Sequence, residues 1–204
     1  MNRWLRFDFR LHTAALVAIV AAVLCVPLGS FLPVEYGYEN GMVENVQMAV
    51  LALGVYFCLK ARNHRQFFAV VALVMVMLML REVNCGRTLF FAKPGTVNDF
   101  YKWREIPYGW VARVLYGGYM AGVMAYFLHK RLYLQLGAVL RQVGVPVWNV
   151  ILMAAGMALG VYGERVMNNM TVEEFAELVF YVAFVGSVHL YARVSSVGAG
   201  EGKG

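Results

Sequence analysis

Ionisable and amide side chains recur at helical spacing near one end of several apolar segments. Glu44 and Gln47 are three residues apart, so they share a helix face about one to two turns into their segment. Arg81 and Glu82 lie about 22 Å along a segment that begins at Gln66. Arg113 lies about 9 Å below Pro107, with Tyr116 on the same side one turn deeper. Glu164 closes a further segment, followed four residues later by Asn168, and Glu174, Glu177 and Tyr181 form one stripe at i, i+3 and i+7.

A charged side chain at the centre of a bilayer costs at least about 2.5–3.5 kcal/mol, so such groups pair with one another or serve a site. Convergent carboxylates could hold an oxygen-loving divalent cation, relay protons or act as a general base, and the guanidinium groups could neutralise them or contact an anion. The expected polar pocket comprises Glu44, Gln47, Arg81, Glu82, Arg113, Tyr116, Glu164, Glu174, Glu177 and Tyr181, with Arg165 as a further neutralising group. Glu44, Glu82, Glu174 and Glu177 are the candidate metal ligands, for Mg²⁺, Mn²⁺ or Ca²⁺. Glu173 reads as a solvated helix-start acid favoured by the helix dipole. A structural network that pins helix ends together is the competing account of the same residues.

Other chemistries are excluded or weak. His12, His64, His129 and His189 all map to the opposite half of the segments, which removes a histidine zinc site or a Ser-His dyad from the pocket. Cys25, Cys58 and Cys85 have no ligand-like spacing and imply no disulfide framework. Glu173-Glu174 resembles the start of the Glu-Glu-x-x-x-Arg motif of CAAX-type intramembrane proteases, but Leu178 stands at the arginine position, so that family's activity does not carry over.

The elements that must position these residues follow from composition. Of 204 residues, 61% are hydrophobic and 15% charged, against about 25% charged in a soluble domain. With a mean hydropathy of +0.60, this predicts an all-α polytopic membrane protein. Six apolar runs are long enough to cross: His12 to Leu32, Met42 to Leu59, Gln66 to Phe91, Pro107 to Leu128, Pro146 to Tyr162 and Val172 to Tyr191. The third is longer than needed, and its last turns should rise out of the apolar layer. The first run exceeds a signal peptide's and lacks a small-x-small cleavage site, so it counts as a span.

Although the net charge is +6, the basic residues flank apolar runs in short clusters, the pattern of membrane insertion rather than of nucleic-acid binding. With the N-terminus inside, Arg3, Arg6, Arg10, Lys60, Arg62, Arg65, Lys130, Arg131, Arg141, Arg193 and Lys203 fall on the cytoplasmic side, which predicts both termini there, with a bacterial inner membrane as the setting. Of the acids only Asp8 and Glu201 lie inside, an asymmetry that the insertion rule does not produce.

Between spans four and five, Leu132, Leu136, Val139, Leu140 and Val143 repeat at helical spacing, predicting a short amphipathic helix on the inner membrane surface. Residues 1–194 form one domain, and residues 195–204 are expected to be a disordered Gly-rich tail. Gly118 with Gly122, and Gly156 with Gly160, are small-xxx-small pairs suited to close helix approach or to a dimer. In the outer loop, Tyr101, Trp103, Tyr108 and Trp110 suit an interfacial belt, while Lys102 and Arg104 suit a headgroup-contacting lid.

Together these features lead to an outward-facing polar pocket that binds or transports a polar or lipid-linked solute, coupled to a cation or to protons. A carboxylate- or metal-dependent enzyme acting on a lipid headgroup and an accessory subunit of a membrane complex are the alternatives. Membrane lipids, such a solute, a second copy or a membrane partner are the expected partners; nucleic acid is not.

Overall fold

The computed structural model describes residues 6–96 and 98–197, and Arg3, Lys203 and the tail from residue 198 lie outside them. The regular structure of the described chain is helical apart from one pair of two-residue strands and an isolated antiparallel bridge between Ala92 and Phe100. In order come β1 (Phe7–Asp8), α1 (Thr13–Phe31), α2 (Met42–Lys60), α3 (Arg65–Glu82), α4 (Arg87–Phe90), α5 (Gly109–His129), α6 (Leu132–Val143), β2 (Val145–Pro146), α7 (Val147–Tyr162) and α8 (Met170–Val197). Short helical turns precede α2 at Val34–Gly37, join α3 to α4 at Asn84–Gly86, and extend α7 through Gly163–Met167.

Among the described residues five helices are long and apolar enough to cross a membrane: Thr13–Phe31, Glu35–Lys60, Gly109–His129, Val147–Met167 and Met170–Val194. A sixth crossing results if Arg65–Glu82 and Asn84–Phe90 count together, although they are bent by 53°. Here the expectation of one continuous helix from Gln66 to Phe91 is corrected. Asn84, Cys85 and Gly86 take φ values of 47°, 54° and 86° in succession, a left-handed run that ends α3. Glycine, and to a lesser degree asparagine, tolerate that conformation, so Asn-Cys-Gly is the local cause of the break.

α8 is the axis of the bundle and packs against α7, α1 and α2. Half of its apolar stretch is buried, whereas none of α5's is, which puts α5 at the periphery against α3 and α6. The main core joins Leu51 of α2, Phe68 and Met75 of α3, Val139 of α6, and Tyr181 and Val185 of α8. Leu132 and Val139, seven residues apart, are buried on one side of the amphipathic α6.

The α7–α8 connection is tight because both sides of it are shaped for contact. Asn168 adopts φ 48° to stop the first helix, and the Asn169 side chain accepts the N–H groups of Thr171 and Val172 at 3.0 and 3.2 Å, capping the second. A Cβ on Gly156 would come within 2.8 Å of the Ala176 carbonyl oxygen, so this glycine sets the approach of α7 to α8. At Gly118 and Gly122 a Cβ would meet nothing within 4 Å; that face of α5 is open.

Polar contacts tie the chain at each end of the bundle. At one end β1 runs parallel to β2, Trp148 donates to the Phe9 carbonyl, and the Tyr191 hydroxyl donates to the Gly144 carbonyl. This end collects the N-terminal segment, the link between α6 and α7 and the last turns of α8. Arg6, Arg10, Lys60 and Arg193 lie there, with Asp8 as its acid among the described residues. The carboxyl of Asp8 is held below its ordinary range chiefly by the Arg10 backbone N–H, against an opposing effect of burial, with His12 at 3.0 Å adding to the lowering. At the opposite end, Arg87 grips both carboxylate oxygens of Glu39 at 3.2 Å, and Asn40 donates to the Thr88 carbonyl at 2.7 Å.

Candidate functional site

Two helical registers build the site at the acid-rich end. In α8 the spacing of Glu174, Glu177 and Tyr181 keeps all three on one face, and that face looks toward α2 and α3. In α3 the last turn before the Asn-Cys-Gly break presents Arg81 and Glu82. The Arg81 guanidinium Nη2 donates to both oxygens of Glu177, at 2.5 and 2.6 Å, and its Nε lies 3.3 Å from Glu82 Oε1. The Tyr181 hydroxyl donates to Glu82 Oε1 at 2.5 Å. From α2, the Gln47 amide nitrogen donates to both the carbonyl and the carboxylate of Glu174, at 2.8 and 2.9 Å.

Glu82, Glu174 and Glu177 each offer a carboxylate oxygen within 4.8 Å of the others. Oxygen ligands converging in this way suit Mg²⁺, Mn²⁺ or Ca²⁺ better than zinc, which favours nitrogen and sulfur. Of the cations among the described residues, only Arg81 forms an ion pair with this trio. Gln47 is fully buried, and its Oε1 has no hydrogen-bond partner among the described residues. An orphaned buried acceptor costs about 1–3 kcal/mol, which makes the amide a second acceptor short of a donor beside the carboxylates.

A cleft of about 300 Å³ opens beside the trio, bounded by α3, α7 and α8. One part of its lining is charged, with Arg81, Glu164, Glu173 and Glu177; the rest is apolar, with Met157, Val161 and Phe180 among its residues. The cleft is therefore amphipathic along its length.

The structure thus gathers Gln47, Arg81, Glu82, Glu174, Glu177 and Tyr181, and sets Glu164 on the cleft's rim. Glu44 is buried nearby, but its carboxylate accepts the Asn40 N–H at 2.5 Å and so ties the turn that precedes α2 to the helix. Tyr116 turns to the Met77 carbonyl at 3.4 Å. Arg113 is exposed and lines a different hollow, with Arg87, Lys102 and Arg104. Arg165 is exposed and has no ion pair among the described residues, and Glu173 lines the cleft rather than standing clear of it.

Sequence reasoning missed the Glu39–Arg87 pair and the Asn40–Thr88 contact that hold α2 to α4. Arg87 falls just after the Asn-Cys-Gly break, which is the signal that could have separated it from the span. His12 pairs with Asp8, and the His189 ring lies 4.3 Å from that of Phe57 beside Lys60, so these two histidines sit at the basic end, away from the carboxylates.

Comparison with protein-family models, with curated proteins and with solved structures finds no match to this chain.

Proposed function

We propose that the chain is a six-span protein of a cell inner membrane, with both termini cytoplasmic, whose acid-rich outer end binds or transports a polar or lipid-linked solute, coupled to a cation or to protons. Reading the broken α3–α4 pair as one crossing makes the number of spans even. The contacts that join the N-terminal segment, the α6–α7 link and Tyr191 at one end agree with that parity. Lysine and arginine flanking the same end support its cytoplasmic placement.

The observation that carries the functional reading is the charge balance around Arg81. Three glutamates from α3 and α8 converge with one guanidinium between them, beside a cleft whose lining passes from charged to apolar. Uncompensated charge is expensive within a membrane, so the remaining negative charge calls for a counter-charge, supplied as a cation or as protons. The unpaired Gln47 Oε1 is an oxygen of the kind a bound cation or a proton donor would satisfy.

The test uses vesicles that hold the purified chain and a trapped pH-sensitive dye, with sodium, potassium or magnesium gradients imposed in turn. Wild type should move protons with at least one gradient, and Glu174→Gln and Glu177→Gln should reduce that flux at least tenfold while the fold is kept. Flux equal to that of empty vesicles under every gradient overturns the coupled reading.

The triangle of carboxylate oxygens favours one other reading, a metal-dependent enzyme acting on a lipid headgroup. A mass change in vesicle lipids that needs Glu177 and a divalent ion would select it. If Glu82, Glu174 and Glu177 can each be neutralised with loss of stability alone, the network is a scaffold in an accessory subunit.

A further inference from the structure

We propose that the seam between α3 and α5 is a second site, which binds an anionic amphiphile by its phosphate headgroup. It is independent of the carboxylate cleft. Its head is an open hollow of about 440 Å³ lined by Asn84, Arg87, Lys102, Trp103, Arg104 and Arg113. Four cations from three separate stretches converge there: Arg87 from the first turn of α4, Lys102 and Arg104 from the loop before α5, and Arg113 from the first turns of α5.

The charges in the hollow do not cancel. Glu39 neutralises Arg87 through both of its oxygens, and Glu105 accepts the Lys102 backbone N–H at 2.9 Å. Lys102, Arg104 and Arg113 form no ion pair among the described residues. Counting Glu39 and Glu105 against the four cations leaves an excess of two positive charges, the complement of a phosphate dianion. Trp103 is fixed in the wall by its indole N–H, which donates to Asn84 Oδ1 at 3.4 Å. Tryptophan beside lysine and arginine at a span's end is a setting suited to a headgroup.

The same two helices supply a place for the tail. Seven residues beyond Arg113, about 10 Å along α5, Met120 and Val123 face Val74 and Met77 of α3 across an apolar groove of about 340 Å³. Tyr116, between Arg113 and Met120 along α5, donates its hydroxyl to the Met77 carbonyl at 3.4 Å and ties the two helices together. A cationic mouth above an apolar groove on one seam fits a phosphate-bearing lipid better than a free anion, which would use the mouth alone. It also gives a function to α5, none of whose apolar stretch is buried among the described residues.

The experiment measures binding of dioleoyl phosphatidic acid, dioleoyl phosphatidylcholine and inorganic phosphate to the purified full chain in detergent, by native mass spectrometry for the lipids and calorimetry for phosphate. Phosphatidic acid should bind at least tenfold tighter than phosphatidylcholine. The preference should vanish in the triple variant Lys102→Gln/Arg104→Gln/Arg113→Gln, whose positions are exposed and unpaired and whose melting should stay near wild type. Lys130→Gln/Arg131→Gln at the other end of α5 should leave the preference intact, which separates a site from general attraction to anionic lipid. Met120→Trp, which fills the groove, should weaken phosphatidic acid binding severalfold. Equal binding of the two lipids, or a preference that survives the triple variant, overturns the proposal. Phosphate binding as tight as that of phosphatidic acid and indifferent to Met120→Trp assigns the hollow to the free anion and overturns the lipid assignment. The triple variant lies outside the carboxylate cleft, so its ion-driven proton flux should stay at the wild-type level while the lipid preference is lost, which keeps failure of the cleft reading and failure of this one distinct.

Discussion

Arg81 of α3 and Glu177 of α8 meet through one guanidinium nitrogen and both carboxylate oxygens, at 2.5 and 2.6 Å, and this pair closes one wall of the cleft. Its strength depends on what surrounds it. Half of the Arg81 side chain is exposed, which weakens the attraction, but the same guanidinium also stands between Glu177 and Glu82.

Removing Arg81 should therefore be worse than removing its partner. Arg81→Gln leaves three carboxylates crowded together, whereas Glu177→Gln removes one of them. Thermal unfolding of both single variants and the double should give a coupling of about 1–2 kcal/mol, between the values for exposed and buried pairs. Equal losses in the two single variants, adding in the double, would show that the trio does not interact electrostatically.

Tyr181→Phe isolates one hydrogen bond. The ring is buried in the main core and its volume is preserved, so the variant removes only the O–H donor from Glu82, whose side chain is 6% exposed. The expected loss is about 1.5–3 kcal/mol in denaturant titration in detergent, the worth of a hydrogen bond to a charged group. A variant as stable as wild type would mean that Glu82 finds another donor.

The glycines of α7 and α5 should respond in opposite ways. Gly156→Leu forces side-chain atoms into the Ala176 carbonyl and the Phe180 backbone and should cost at least about 1–3 kcal/mol. Gly118→Ala and Gly122→Ala face open space and should be neutral or slightly stabilising, since alanine is the better helix former. Melting temperatures in one detergent compare all three; a large loss at Gly122 would show that α5 is covered in the assembled protein.

The clasp of β1 on β2 should depend on pH through Asp8. Because the folded state holds its carboxyl below the ordinary range, the clasp's added stability is present above that range and is lost as pH falls through the lowered value. Amide exchange at Val145, whose N–H donates to the Arg6 carbonyl at 2.7 Å, should speed up relative to the core under acid conditions. Asp8→Asn should exchange quickly at neutral pH and lose that acid dependence.

Much of the arrangement was legible before any tertiary contact was known. Apolar runs located every helix long enough to cross, and the stripe of Glu174, Glu177 and Tyr181 was visible because side-chain direction in a helix follows from spacing alone. Leu132 and Val139 were legible in α6 for the same reason. The break after α3 was hidden by the apolar residues on either side of it, since hydropathy averages over residues and does not register three left-handed ones.

By itself the sequence determined position along each helix and helix face: which segments are apolar enough to cross, that the acids collect at one end, and which side chains on one helix can act together. Only the tertiary structure decided which faces meet. Arg113 and Arg81 are both placed near the same end by the sequence, yet α8 turns its glutamates toward Arg81 while α5, packed on α3, carries Arg113 to a separate hollow. Rise per residue is fixed by backbone hydrogen bonding within a helix, whereas the neighbours of that helix are chosen by packing between segments distant in the chain, as where Gly156 admits α8.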